Sequence, residues 1–251
     1  MTDPALEIRG LHKSFGALTV ADDIDFSLQP GIRHALIGPN GAGKTTFVNL
    51  ITGVLKPDKG TVLLSGQDIT SLDQAGRCRL GLVRTFQISQ LFHGLTLLEN
   101  VCLSVAEHRG IAGSMFRPFG RYKEVIDESM HFLESFKLEA DAGKTVSELA
   151  YGRQRLLEIV IALAQRPKVL LLDEPAAGVP SSESRIILDV IDELSENISI
   201  LIIEHDMEIV FRFARRITVM VSGSIFTEGT PEEIASDDRV RTVYLGEAFS
   251  A

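Results

Sequence analysis

One segment constrains this chain more than any other, the run Gly38-Pro39-Asn40-Gly41-Ala42-Gly43-Lys44-Thr45. It matches the phosphate-binding pattern GxxxxGK(S/T), and it lies between an apolar run ending at Ile37 and a helical pattern. Glycines permit a tight turn whose backbone N–H groups face phosphate oxygens, and the following helix adds its positive N-terminal end. Lys44 supplies a charge to the β and γ phosphates, while the Thr45 hydroxyl can ligate Mg²⁺. The segment, extended by Thr46, predicts a nucleotide-binding loop between a strand and a helix.

A second segment supplies two adjacent carboxylates, Asp173 and Glu174, directly after the apolar run Val169–Leu172. That run has no polar alternation, which is typical of a parallel strand covered on both faces. At the end of such a strand Asp173 can hold Mg²⁺, usually through water, and Glu174 can act as the general base toward an attacking water. Together with the phosphate loop, this pair predicts a P-loop NTPase that hydrolyses its nucleotide.

Strand-like runs alternate with helical patterns along most of the chain, which is typical of an α/β fold. The predicted strands are Leu6–Leu11, Ile24–Leu28, Arg33–Ile37, Thr61–Leu64, Leu82–Phe86, Val169–Leu172, Ser199–Ile203 and Arg216–Val221. The predicted helices are Gly43–Val54, Leu97–Glu107, Tyr122–Leu138, Arg153–Gln165, Glu183–Leu194 and Met207–Ala214. The pattern favours a P-loop NTPase core with a mixed sheet.

The alternation breaks between about residues 88 and 164, where helix follows helix without strands. We therefore expect a single domain over residues 1–251, with a core lobe of about 1–87 and 165–251. The helical subdomain of about 88–164 is inserted into that core. Within it, the Gly- and Arg-rich stretch His108–Arg121 is predicted to be a loop.

Composition indicates which partners and which cellular compartment suit the chain. The net charge of −9 disfavours a nucleic-acid binder, which would carry a basic face. Cys78 and Cys102 lie in no CxxC or Cys/His cluster, which indicates free thiols in a reducing compartment. Neither a signal peptide nor an apolar run of the roughly 20 residues that span a bilayer is expected.

Further residues resemble the ATP-binding subunits of ABC transporters, and the resemblance covers nearly the whole chain. Gln87, after a predicted strand, stands where that family keeps the Q-loop glutamine, which reaches the metal and the water. His205 matches the switch histidine that contacts the γ-phosphate, and Phe15 matches the aromatic residue that stacks on adenine. The resemblance implies ATP and Mg²⁺ as cofactors, an N-terminal antiparallel β subdomain, and Gln87 as both a catalytic residue and a metal ligand.

The family's signature, L-S-G-G-Q at a helix N-terminus, is matched by Leu149-Ala150-Tyr151-Gly152-Arg153-Gln154. In the family it presents N–H groups and a helix dipole to the γ-phosphate bound by the other subunit. The resemblance implies nucleotide contacts from Ala150, Tyr151 and Gly152, and a dimer with a second ABC ATPase chain, the same or related. Two positions depart from the pattern: Ala150 replaces Ser, which weakens the contact to ATP, and Pro180 replaces Asp or Asn in the loop that signals between sites.

Four features are similar to a narrower group, the ATPases of branched-chain amino acid importers and their relatives for urea or similar amides. They are the segments 84–92 and 95–101, the insertion 108–121, the Leu-Ala-Tyr-Gly form of the signature and the tail 240–247. This resemblance implies a peripheral protein on the cytoplasmic face of the inner or plasma membrane, with an extracytoplasmic substrate-binding protein as an indirect partner. Transmembrane permease subunits would dock near Gln87 and the apolar residues Leu91, Phe92, Leu95, Leu97 and Leu98.

Two alternatives stay open. A non-transport ABC ATPase acting on DNA or ribosomes usually carries two fused ATPase domains, a coiled-coil insertion or basic linkers, whereas this chain has one phosphate loop, one signature and an acidic balance. A regulatory ABC ATPase that binds ATP with little turnover is suggested by Ala150 and Pro180, whereas Lys44, Asp173 and Glu174 argue against it. The permease and the binding protein select the substrate, and both a self-paired and a mixed dimer fit the sequence.

Overall fold

The computed structural model describes residues 3–85, 91–111 and 122–248. The strands within these ranges are β1 (Leu6–Phe15), β2 (Leu18–Leu28), β3 (Arg33–Ile37), β4 (Lys59–Leu64), β5 (Gln67–Asp68), β6 (Leu82–Arg84), β7 (Val169–Asp173), β8 (Ser199–Ile203), β9 (Arg216–Val221) and β10 (Ser224–Gly229). The α-helices are α1 (Lys44–Thr52), α2 (Gln74–Arg79), α3 (Leu97–His108), α4 (Lys123–Ser135), α5 (Tyr151–Ala164), α6 (Ser181–Asp192), α7 (Met207–Phe213), α8 (Pro231–Ser236) and α9 (Asp238–Ala248).

The strands form two sheets. β1 and β2 pair antiparallel, from Leu6 opposite Leu28 to Phe15 opposite Leu18, and the four-stranded sheet has the order β2-β1-β4-β5. The six-stranded sheet has the order β10-β9-β3-β8-β7-β6. In it β9, β3, β8 and β7 run parallel, while β10 is antiparallel to β9. The antiparallel sheet, the mixed sheet and the helices confirm the predicted fold class.

The phosphate loop is anchored at both ends in one apolar core. Every residue of β7 and β8 is buried, which suits their uninterrupted apolar sequence in the middle of a parallel sheet. The same core contains Leu36 from β3, just before the loop, and Phe47 from α1, just after it. Apolar side chains of the antiparallel sheet join this cluster, so the loop has little freedom to shift at either end.

The chain divides into two compact units. The first comprises the described residues within Met1–Leu82, Lys168–Glu174 and Ser195–Ala251, and the second those within Val83–Pro167 and Pro175–Leu194. The second unit is helical and has its own polar links. For example, the Ser104 hydroxyl on α3 donates to the carbonyl oxygen of Ile161 on α5 at 2.8 Å, and the Gln165 amide donates to Ser104 Oγ at 2.6 Å.

The sequence pattern underestimates the β1–β2 hairpin. The predicted strands Leu6–Leu11 and Ile24–Leu28 become strands that extend to Phe15 and begin at Leu18. The added residues are mostly polar or half-exposed, so they carry no apolar alternation, and their partner is the neighbouring strand of the hairpin. Phe15 therefore lies at the end of a strand, four residues beyond the predicted strand end at Leu11.

Short elements are a second correction. The strands β5 and β10 and the helices α2, α8 and α9 are not predicted, because each is short or predominantly polar. The predicted strand Leu82–Phe86 ends at Arg84, and α5 begins two residues before the predicted start at Arg153. Residues 112–121 of the predicted loop lie outside the described residues.

A buried histidine lies on β3, a central strand of the mixed sheet. His34 on β3 is fully buried, and its Nε2 lies 2.8 Å from the Thr218 hydroxyl on β9. That hydroxyl donates to Glu228, which also pairs with Arg216. Burial lowers the pKa of His34 to about 4, and the nearby Glu228 carboxylate only partly opposes this effect. The imidazole is therefore neutral in the folded protein at neutral pH.

The neutral state of His34 predicts acid sensitivity. The unfolded chain takes up a proton near pH 6.5 and the folded chain only near pH 4, so stability is lost as the pH falls through that window. Between pH 7.5 and 5 we expect His34 to account for a loss of about 2 kcal/mol in the free energy of unfolding. Urea titrations of wild type and His34→Gln at both pH values measure it, since the variant should lose that much less. Equal losses would contradict the assignment.

Candidate functional site

The carboxyl ends of three neighbouring parallel strands meet at one edge of the mixed sheet. Leu36 on β3 and Asp173 on β7 lie opposite the same residue of β8, Ile203. The phosphate loop begins two residues after Leu36, and Glu174 directly follows Asp173. His205 follows Ile203 by two residues. Since adjacent strands are about 4.8 Å apart, this register gathers the three predicted motifs along roughly 10 Å of sheet edge.

The phosphate loop is a preformed turn that leads into α1. Gly43 is the N-cap of α1 with φ of 99°, a left-handed conformation that favours glycine, and α1 begins at Lys44. The Lys44 ammonium donates to the carbonyl oxygens of Gly38 at 2.5 Å and Pro39 at 3.0 Å. Thr45 is exposed in the first turn, and no acidic residue stands there to repel an anion. The helix end therefore offers N–H groups, an ammonium and a hydroxyl to a phosphate chain.

The two carboxylates after β7 have different surroundings. Asp173 is buried at the end of the strand, whereas Glu174 is half-buried and has a left-handed backbone with φ of 47°. The Glu174 N–H donates to the Ile203 carbonyl at 2.9 Å, which fixes this uncommon conformation. Such conformations in non-glycine residues are concentrated at functional sites. Glu174 Oε1 lies 3.5 Å from Nδ1 of His205, whose side chain is 68% exposed.

Phe15 is exposed beside a fixed cation. Phe15 is 51% exposed at the end of β1, and the Lys13 ammonium lies 5.6 Å from the ring centroid. The Asp58 carboxylate accepts from Lys13 Nζ and from the N–H of Ser14, both at 2.8 Å, which lowers the pKa of Asp58. Asp58, which sequence reasoning missed, thus fixes the strand end that carries Phe15. An exposed aromatic ring held in this way can stack on a planar base.

The signature stretch lies in the second unit, at the N-terminus of α5. Ala150 is the N-cap and makes no side-chain capping bond, Tyr151 opens the helix and Gly152 is buried. The guanidinium of the buried Arg155 lies 5.0 Å from the Tyr151 ring centroid and donates to its hydroxyl at 2.5 Å. Sequence reasoning missed Arg155, although its spacing of four residues from Tyr151 on a helix was a usable signal.

The predicted docking residues divide into core and surface. Leu91 and Leu97 are buried, whereas Phe92 is 60% exposed. The buried Asn100 accepts from the Phe92 N–H at 2.9 Å and donates to its carbonyl at 3.2 Å, so the turn that presents Phe92 is fixed on α3. Leu95 and Leu98 are half-buried. Gln87 lies outside the described residues, as do the other residues of 86–90.

The sheet, the phosphate loop and the Asp173–Glu174 pair define a P-loop NTPase. Comparison with known proteins narrows this class. The family described as ABC transporter matches residues 21–177, and the family described as Branched-chain amino acid ATP-binding cassette transporter matches residues 225–250. The high-affinity branched-chain amino acid transport ATP-binding protein LivG of Escherichia coli K12 is 40% identical and covers 99% of this chain and 100% of its own. BraF of Pseudomonas aeruginosa, with the same description, is 38% identical at the same coverage.

Solved structures agree with the sequence comparison. The ADP conformation of an ATP-binding cassette of an ABC transporter has a TM-score of 0.86 and 33% identity, and the match covers 98% of this chain and 100% of that one. A nucleotide-free cassette has a TM-score of 0.85 and 32% identity, with 96% and 98% covered. The chain belongs to the ABC transporter ATP-binding family and is an ABC-type ATPase, which confirms the predicted family and enzyme class.

Proposed function

We propose that this chain is the ATP-hydrolysing motor subunit of an importer for branched-chain amino acids. The observation that carries the proposal is the meeting of the phosphate loop, Glu174 and His205 at one sheet edge, in a chain that matches LivG over its whole length. The same relatives disfavour a regulatory or non-transport role. ATP binds with its phosphates on residues 38–46 and its adenine on Phe15. Glu174 acts as the general base, and His205 contacts the γ-phosphate.

The residues present fit a magnesium–nucleotide complex. The exposed Thr45 hydroxyl and the Asp173 carboxylate are both hard oxygen donors, which Mg²⁺ prefers. The described residues contain no group of three or more His, Cys, Asp or Glu side chains that could hold a metal by themselves. We infer that Thr45, Asp173 and Gln87 hold the ion together with phosphate oxygens, and that its charge offsets the charge that develops on the phosphates.

The proposed partners follow from the parts that one chain lacks. The signature residues Ala150, Tyr151 and Gly152 would complete the nucleotide site of a second ABC ATPase, the same chain or a relative. Permease subunits would bind around Phe92, and a substrate-binding protein would act on their outer side. No helix in the described ranges is long and apolar enough to cross a membrane. We place the chain peripherally on the cytoplasmic face of the inner or plasma membrane, through its permease.

Uptake by cells tests the proposed function. Cells whose own copy carries Lys44→Ala should lose energy-dependent uptake of labelled leucine, isoleucine and valine, because the variant lacks the ammonium group that binds the phosphates of ATP. The matched control is Lys56→Ala, an exposed lysine of the same unit, which should transport normally. Labelled glutamate and urea serve as comparison substrates. Unchanged leucine uptake with lost urea uptake would contradict the proposed substrate, and unchanged uptake of all five compounds would contradict the proposed motor.

A further inference from the structure

The turn between β9 and β10 lies directly against the phosphate loop. Gly223, in this turn, donates its N–H to the carbonyl oxygen of Ala42 at 2.8 Å. Its own carbonyl accepts from the N–H of Asp22 on β2 at 2.9 Å. One glycine therefore connects the phosphate loop to the antiparallel sheet, although the three segments are far apart in sequence.

The three backbones meet without room for a side chain. A Cβ added to Gly43 would lie 2.9 Å from the Val20 carbonyl oxygen and 3.2 Å from the Cα of Gly223. A Cβ added to Gly223 would lie 2.9 Å from the same oxygen. Cβ atoms essentially never approach another heavy atom within 3.0 Å, so a side chain at either position would push the backbones apart. Both glycines have left-handed φ values, 99° and 84°.

The Val20 carbonyl belongs to β2, which forms a hairpin with β1. We call the end of this hairpin, where Phe15 pairs with Leu18, the Phe15 hairpin. The β1–β2 register shifts between Lys13 opposite Ala21 and Ser14 opposite Thr19, and Val20 lies within that irregularity. The hairpin closes with Phe15 opposite Leu18, one residue further along β1 than Ser14. The contact at Val20 therefore ties the phosphate loop to the short piece of sheet that presents the aromatic ring.

We propose that Gly223 is a positioning residue for ATP, which sets the phosphate loop against the Phe15 hairpin through the Val20 carbonyl. The inference rests on ATP binding at the phosphate loop. A nucleotide that spans both ends binds well only when their separation is fixed beforehand. Gly223 touches no nucleotide; it acts through Ala42 and Gly43. A side chain there displaces the loop from the hairpin and weakens binding.

The test compares two glycines with left-handed backbones in the same unit. Gly223→Ala adds the clash, whereas Gly66→Ala, in the turn between β4 and β5, adds a Cβ whose nearest neighbour is an Asp3 oxygen at 3.7 Å. Both substitutions carry a similar penalty for placing Ala in a left-handed backbone conformation. Thermal unfolding of the two variants measures their stability and checks that both are folded. The Kd for a magnesium complex of a non-hydrolysable ATP analogue should rise roughly tenfold or more in Gly223→Ala and stay within about twofold in Gly66→Ala. Equal Kd values in folded variants overturn the proposal.

Two further measurements cover failure to fold. Gly223→Asn keeps the added Cβ on a residue that tolerates a left-handed backbone, and it should weaken binding as Gly223→Ala does. In the wild type, the analogue should slow amide hydrogen exchange at Gly223 and Asp22 as well as in the phosphate loop, and unchanged exchange there overturns the proposal. Wild-type ATP hydrolysis, measured on the same preparation, separates a failure of this inference from a failure of the proposed function.

Discussion

Glu174→Gln is expected to bind ATP and to lose turnover by about 10² to 10⁴-fold. Gln has the shape of Glu but cannot accept a proton from the attacking water. The left-handed backbone and its hydrogen bond to Ile203 do not involve the carboxylate, so the fold should persist. Steady-state phosphate release and equilibrium ATP binding, measured on the same sample, give the two quantities. A variant with wild-type turnover would remove Glu174 from the role of general base.

The same variant tests whether the chain pairs with itself. Slow hydrolysis should preserve the ATP-bound state, so light scattering with MgATP should show the mass rising from 27.5 kDa to about 55 kDa. The matched control is Glu208→Gln, which removes one exposed carboxylate three residues after His205 and should leave turnover unchanged. If Glu174→Gln binds ATP and stays monomeric, the self-paired dimer is wrong, and a non-identical ATPase becomes the partner to isolate.

The nucleotide loop and the carboxylate pair could be predicted because their chemistry is local. Phosphate binding needs glycines and a lysine in a fixed order along a few residues, and Asp173 and Glu174 are neighbours. Their meeting also follows from sequence, since parallel apolar strands bring their carboxyl ends to one edge of a sheet. The structure adds the exact register, in which Leu36 and Asp173 both lie opposite Ile203.

Contacts between distant segments could not be predicted in this way. The sequence around Gly223 is typical of an ordinary hairpin turn. Only the structure shows that its backbone lies close to the backbones of Gly43 and Val20. Arg77 belongs to the polar segment QAGRCR, which has no apolar periodicity and suggests a solvent-exposed stretch. In the structure it is among the most buried large side chains, because its partners are carbonyls contributed by other segments.

Those partners make Arg77→Leu the substitution with the largest expected loss of stability. The guanidinium donates to the carbonyls of Leu50 and Ile51, both at 2.8 Å, in the last turn of α1. It also donates to the carbonyls of Thr70 at 2.8 Å and Leu72 at 3.0 Å. The α1 carbonyls have no further helical turn to bond and carry the negative end of the helix dipole. Removing the guanidinium leaves buried acceptors unsatisfied, at a cost of about 3–5 kcal/mol in the free energy of unfolding.

Arg79→Leu is the matched control, since it makes the same change on an exposed residue of α2 and should alter stability by about 0.5 kcal/mol or less. Arg77→Lys keeps a cation but replaces the planar fork with one ammonium, so it should recover only part of the loss. Urea unfolding of the three variants ranks them. If Arg77→Leu and Arg79→Leu lose equal stability, the hydrogen bonds from Arg77 to Leu50 and Ile51 do not hold the end of α1. If the predicted order is found, the helix behind the phosphate loop depends on a side chain outside every nucleotide-binding motif.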